Sequence, residues 1–230
     1  MNQRKTNKWS LTVLVFILGA IAFQGGSLIG EMIGLHQQQQ NVIPAASDKR
    51  FSSIVRLTQN GRTFCTGTVI SRNLAVTAAH CVLTETPFGM MLASPMIELR
   101  PVNNQPINVI AQVVSATTQM DQAILTGDFS AFKPRKYISD PEALNKYRVQ
   151  GTKFVACGFP LNGELYCNVL SFSAPNDFFW HVEGVLIPGM SGGPTMLPDG
   201  TLVAVNVAVQ GRYSVVSPIV NITRNLAGGK

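Results

Sequence analysis

From residue 51 onward the chain is a succession of short β-rich runs broken by turn residues, and no long helical period appears after residue 36. Ser53 to Leu57, Thr66 to Ile70, Ile107 to Val114, Lys153 to Ala156, Leu165 to Phe172, Leu202 to Gln210 and Tyr213 to Val216 read as strands. Asn60-Gly61, Asn162-Gly163 and Pro198-Asp199-Gly200 are turn signals between them. Val203, Val205, Val207 and Val209 alternate with Ala204, Asn206 and Ala208, which predicts a strand with one buried face. A short helix near Pro141 to Lys146 is the exception. Many short strands between turns predict an all-β sandwich or barrel. About 180 residues suffice for two small barrels that share an interface.

Two motifs add chemistry to that frame. Gly189-Met190-Ser191-Gly192-Gly193-Pro194 places a serine among glycines on a tight turn. Such a turn exposes the hydroxyl and can aim the N–H groups of Gly189 and Ser191 at an oxygen that becomes negative during acyl transfer. Upstream lies Thr77-Ala78-Ala79-His80-Cys81. Each motif alone has a bland reading, as a Gly-rich turn and as a packed histidine. The chain has three histidines: His36 falls in a Gln-rich stretch, and His181, next to Trp180, reads as structural. That leaves His80 as the candidate base.

Four aspartates lie between His80 and Ser191: Asp121, Asp128, Asp140 and Asp177. Asp121 opens Asp121-Gln122-Ala123-Ile124-Leu125, whose alternation predicts a half-buried strand. A carboxylate there could accept the Nδ1 proton of the histidine and fix its tautomer. Asp128 and Asp177 sit in loop-like surroundings, and Asp140 precedes a proline in a connection. Asp121 is preferred.

Phe64 to Ile70, Val76 to Cys81, Asp121 to Leu125 and Pro188 to Pro194 together resemble the chymotrypsin/trypsin-like serine protease superfamily, including its order His, Asp, Ser. Phe179 to Gly189 is similar to the approach to the nucleophile in bacterial-type branches, the HtrA/Deg and glutamyl-endopeptidase-like enzymes. Ala156-Cys157-Gly158-Phe159-Pro160 falls where those enzymes carry a Gly-x-Pro turn. The resemblance spans roughly residues 51 to 220. It implies two six-stranded antiparallel barrels, with residues 51–135 and 151–230 as the barrels and 136–150 as their connection. It also implies a catalytic triad of His80, Asp121 and Ser191, an oxyanion hole of Gly189 and Ser191, and a polypeptide substrate. No metal or organic cofactor is expected, because no His/Cys/Asp cluster has ligand spacing.

Four cysteines allow three connectivities. The spacing of Cys65 and Cys81 is similar to the family's disulfide beside the histidine, and that of Cys157 and Cys167 resembles a bridged hairpin of the streptogrisin group. The resemblance therefore implies pairings 65–81 and 157–167. Four reduced thiols in a cytosolic protein are the alternative.

Arg4, Lys5 and Lys8 precede an apolar run from Leu11 to Phe23. Residues 1–35 are expected to be a signal peptide, with Ala20-Ile21-Ala22 as a cleavage site, or a retained signal anchor extended through Gly30. Either form predicts an extracytoplasmic protein, secreted or membrane-anchored. Residues 36–50 read as a flexible linker. Phe51 onward carries 13 Lys and Arg against 10 Asp and Glu, so the +6 of the chain comes partly from its N-terminus. That balance is not a nucleic-acid footprint.

Met190 stands where trypsin-like enzymes carry an aspartate that pairs with a newly freed N-terminus. A thioether makes no ion pair, so the oxyanion turn is expected to form without zymogen cleavage; a collapsed turn is the alternative. By the family's spacing Val185 lies near the base of the primary pocket, and Asn206 either faces that pocket or faces solvent. An apolar base argues against Arg or Lys specificity. Two other functions stay open: an inactive binding module of this fold, and a serine esterase using the same triad.

Overall fold

Alternating apolar residues and turn glycines build fourteen strands among the described residues of the computed structural model. It describes residues 51–59, 61–86, 89–92, 96–101, 109–161, 163–176, 178–210 and 213–219. The expected signal segment, the linker, His36 and Asp177 lie outside the described residues. Among the described residues no helix is long and apolar enough to cross a membrane.

The first sheet is formed by β1 (Ile54–Gln59), β2 (Arg62–Val69), β3 (Leu74–Thr77), β6 (Met96–Pro101), β7 (Val109–Thr117) and β8 (Gln122–Thr126). Antiparallel pairing in the order β1-β2-β3-β8-β7-β6 closes it into a barrel, with β6 returning to β1. A separate hairpin, β4 (Leu83–Thr86) and β5 (Gly89–Leu92), stands outside the barrel. The second sheet runs β10 (Tyr166–Pro175), β11 (Trp180–Glu183), β14 (Tyr213–Pro218), β13 (Leu202–Gln210), β12 (Pro194–Met196), β9 (Lys153–Gly158). It also closes, but narrowly: three-residue β12 meets β9 only at Thr195↔Ala156 and Met196↔Val155. The expected short helix is α1 (Pro141–Asn145). Asp140 caps it, accepting from the N–H groups of Glu142 and Ala143, with Pro141 in the first turn where its missing N–H costs nothing.

Two strands depart from the expected half-buried pattern. In β8, Gln122 to Leu125 are all buried, and in β13 burial runs unbroken from Leu202 to Val207. The reason is the packing between the sheets. Ile70, Val76 and Ile124 of the first sheet cluster with Leu202, Val205 and Ile219 of the second, so both faces of these strands are covered. A second cluster joins Phe51 and Ile54 to Cys157, Phe159, Cys167 and Met196. Burying side chains such as Phe159 or Leu202 stabilises by about 1.5–3 kcal/mol each.

Polar groups fix the register of this seam. Buried Gln122 donates from Nε2 to Ser217 Oγ (2.7 Å) and to the carbonyls of Pro218 (2.8 Å) and Ser217 (3.2 Å). Arg56 lies 4.4 Å over the Phe159 ring and reaches Glu164 at 3.0 Å. The Thr66 N–H donates to the Ser191 carbonyl at 2.8 Å. Cys65 is bonded to Cys81 and Cys157 to Cys167, the latter across a β9–β10 register pair. Closing loops of 16 and 10 residues contributes about 2–3 kcal/mol each.

Gly192, on the serine turn, lies against the end of the first sheet. Its φ is +82°, and a Cβ there would collide with Thr77 Oγ1 and the Thr66 carbonyl. Gly61 also has positive φ (+76°) but faces open space. Gly192→Ala is expected to cost about 2–4 kcal/mol through strain and overpacking. Gly61→Ala should cost no more than about 1–2 kcal/mol from strain alone. Urea midpoints of the two variants check this; equal losses would contradict the close approach at Gly192.

Candidate active site

Pairing of β3 with β8 brings the histidine and aspartate together. Thr77 faces Ala123 in that register, so the short 3₁₀ turn Ala79–Cys81 after β3 lies against Asp121, the residue just before β8. The Cys65–Cys81 disulfide anchors the same turn to β2. Asp121 takes φ +47°, a conformation that aspartate tolerates better than most side chains. From there its two oxygens accept separately, Oδ1 from the His80 N–H at 2.9 Å and Oδ2 from His80 Nδ1 at 2.7 Å. An ionised carboxylate only accepts, so Nδ1 is the donor in this bond, and in the neutral imidazole Nε2 is then the accepting nitrogen. The Asp121 side chain is 15% exposed and the His80 ring 48% exposed.

Ser191 lies on the turn before β12 and lines the same cleft as His80. The cleft is open, about 420 Å³, and its other walls are Leu186, Ile187, Pro188, Val207, Ala208 and Val209. The Ser191 hydroxyl donates to the Val207 carbonyl at 3.1 Å and makes no hydrogen bond to His80. Within the described residues the N–H groups of Gly189 and Ser191 have no acceptor, whereas their neighbours are paired: Met190 N–H to the Ile187 carbonyl, Gly192 N–H to the Asn206 carbonyl and Gly193 N–H to the Met190 carbonyl. Two adjacent donors on a glycine turn are thus left over beside the serine.

Met190 is fully buried in the core of the second sheet, with Leu186 and Trp180 in the same cluster. Its Sδ accepts from the Ile187 N–H at 3.4 Å. The position is filled by apolar packing.

Val185 and Asn206, the two residues considered for the specificity pocket, are not among those lining this cleft. Asn206 faces neither pocket nor solvent; it is fully buried behind the turn. Its Nδ2 donates to the carbonyls of Cys157 (2.9 Å) and Met190 (3.2 Å), and its Oδ1 accepts from the Thr195 hydroxyl (2.7 Å). Val185 does not line the cleft; its carbonyl accepts from Asn168 Nδ2, and its neighbours Leu186 and Ile187 form the wall. In β13 a register shift lies between Asn206 and Ala208, and the residues after Asn206 that line the cleft are Val207, Ala208 and Val209.

The other candidates have structural partners. Asp128 accepts from the Ser130 N–H, and the Ser130 hydroxyl and N–H hold its carboxyl below the usual range. Asp140 caps α1. His181 stacks on Tyr213, 5.9 Å between centroids. Cys65, His80 and Cys81 offer ligand atoms within 4.8 Å of one another, but the sulfurs are bonded to each other and supply no thiolate. Sequence reasoning missed Thr66, which was read only as a strand residue and stands fully buried beside the serine turn.

Comparison with known proteins agrees with this architecture. The family model for Trypsin matches residues 42–171. No curated protein matches the chain. Among solved structures, a serine endoprotease from Yersinia pestis superposes with a TM-score of 0.64 at 17% identity, covering 81% of this chain and 67% of that one. The active form of the Rv3671c protease from M. tuberculosis gives 0.60 at 19%, covering 80% and 83%. The HtrA-type protease AlgW with a decapeptide gives 0.64 at 14%, covering 80% and 67%. At these identities the structures speak for the fold alone, while the family match extends over more than half of the sequence; by that match the chain belongs to the trypsin family of serine-type peptidases.

Proposed function

We propose that this chain is an endopeptidase that cleaves polypeptides through His80, Asp121 and Ser191 by way of an acyl-enzyme. The observation that carries the reading is the two-point hydrogen bond of Asp121 to His80, which engages Nδ1, so that in the neutral imidazole Nε2 is the nitrogen able to accept a proton in the cleft that holds Ser191. The serine hydroxyl turns from the Val207 carbonyl to His80 Nε2, which takes its proton as Oγ attacks the peptide carbonyl. The N–H groups of Gly189 and Ser191 receive the oxyanion. His80, now an imidazolium facing Asp121, protonates the departing amine, and water then repeats the sequence to free the acyl group and restore the serine.

An extended peptide fits the same cleft. The pairing of β13 with β12 ends at Pro194↔Val205, and beyond it Ala208 and Val209 pair with β14 on one side only. The other edge of this segment is open to a substrate strand. The walls formed by Leu186, Ile187, Val207 and Val209 hold no carboxylate, which favours small or apolar substrate side chains over Arg and Lys. The two disulfides and the basic, then apolar N-terminal segment favour an extracytoplasmic setting, secreted or anchored. The hydrogen bond from Ser191 to Val207 favours one second reading, a binding module of this fold without turnover.

Asp121→Asn should keep the fold and lower kcat by roughly 10⁴-fold, because the amide holds the wrong histidine tautomer. Peptide-library cleavage measures it; a loss under tenfold would remove Asp121 from the triad. Buried Met190 needs no ion-pair partner, so a chain extended by extra residues before Phe51 should cleave peptides as fast as one beginning there. Activity that depends strictly on cutting one bond would refute that expectation.

A further inference from the structure

The two free N–H groups belong to the peptides Pro188–Gly189 and Met190–Ser191. In a trans peptide the N–H points away from its own carbonyl, so whatever holds the carbonyl aims the N–H. The Met190 carbonyl is held twice from its own sheet, by the Gly193 N–H at 3.0 Å and by Asn206 Nδ2 at 3.2 Å. The Pro188 carbonyl has one donor, the Leu161 N–H at 3.1 Å. The direction of the Gly189 N–H therefore depends on the loop that carries Leu161.

That loop and the glycine turn share a single hydroxyl. Thr66 Oγ1, from β2 of the other sheet, accepts from the Phe159 N–H at 2.8 Å and donates to the Gly189 carbonyl at 2.8 Å. The approach leaves no slack, since a Cβ on Gly189 would lie 2.7 Å from Leu161 N. Thr66 is fully buried, so a backbone group released from it is left without a partner. Its own position is fixed independently: its N–H donates to the Ser191 carbonyl and its carbonyl accepts from the Thr77 hydroxyl, both at 2.8 Å.

We propose that the Thr66 hydroxyl is the positioning group that aims the Gly189 N–H at the oxyanion. It clamps the Phe159–Leu161 loop and the turn together, in the absence of an ion pair at Met190. It touches no reacting atom and acts through Gly189. The inference rests on the endopeptidase reading and names the side chain that prepares its oxyanion site.

Thr66→Val removes the hydroxyl while keeping both backbone ties. Leu161→Pro provides a second route, because it deletes the N–H that holds the Pro188 carbonyl. Leu161 is exposed, in a turn closed by the Gly163 N–H on the Pro160 carbonyl, at the position where proline is favoured. Each variant should lower kcat for a peptide substrate by about 10²-fold, as loss of an aligned oxyanion donor does, with KM within about threefold. Thr66→Ser, which retains the hydroxyl, should stay within about fivefold of the parent kcat. A purely structural Thr66 would lower the urea midpoint of Thr66→Val without that kcat loss, and this result overturns the proposal. If Thr66→Val does not fold, Leu161→Pro with an unchanged kcat overturns it as well. A parent chain that cleaves no peptide removes the endopeptidase reading and this inference with it, an outcome distinct from an active parent with unaffected variants.

Discussion

One backbone hydrogen bond, from the Thr66 N–H to the Ser191 carbonyl, joins the two sheets at the serine itself. Around it the sheets approach so closely that residue 192 must lack a side chain. Two apolar clusters flank this contact, and Gln122 locks β8 to β14 beyond it. The His80 turn belongs to the first sheet and the serine turn to the second. Their alignment is therefore a property of the seam, and any change in the seam registers at the cleft.

The serine turn solves a local problem that its sequence creates. A glycine-rich segment loses much conformational entropy on folding and has little side chain to hold it. Here Asn206 from behind and Thr66 from across the seam supply that missing restraint, and the segment's own Met190 packs into the core beneath. Polar groups this deeply buried are costly unless satisfied. Asn206 uses its amide nitrogen and its amide oxygen, and the Thr66 hydroxyl both accepts and donates. The result is a stiff turn with two donors left unpaired, the opposite of what a free Gly-Met-Ser-Gly-Gly segment would adopt.

Much of this was legible in the residue order. The β-rich runs foretold an all-β chain; the neighbourhoods of Cys65, Cys81, Cys157 and Cys167 matched a family whose pairings they then followed. The surroundings of Asp121 separated it from Asp128 and Asp140, whose carboxylates serve a turn and a helix cap. Features set by distant partners were not legible. Period-2 reasoning carried Asn206 toward the pocket or solvent, but its amide is taken up by Thr195, Cys157 and Met190 of its own sheet, while Val205 beside it packs against the first sheet. Thr66 had no local signal, because its importance lies in residues 93 and 123 positions away.

The claim on which the rest turns is that Ser191 is a nucleophile activated by His80. Labelling of the disulfide-intact chain by a fluorophosphonate probe tests it most directly, alongside Ser191→Ala and His80→Ala. Stoichiometric labelling of the parent chain and loss of labelling in both variants are the expected results. A folded parent that stays unlabelled, or labelling that survives Ser191→Ala, would contradict it.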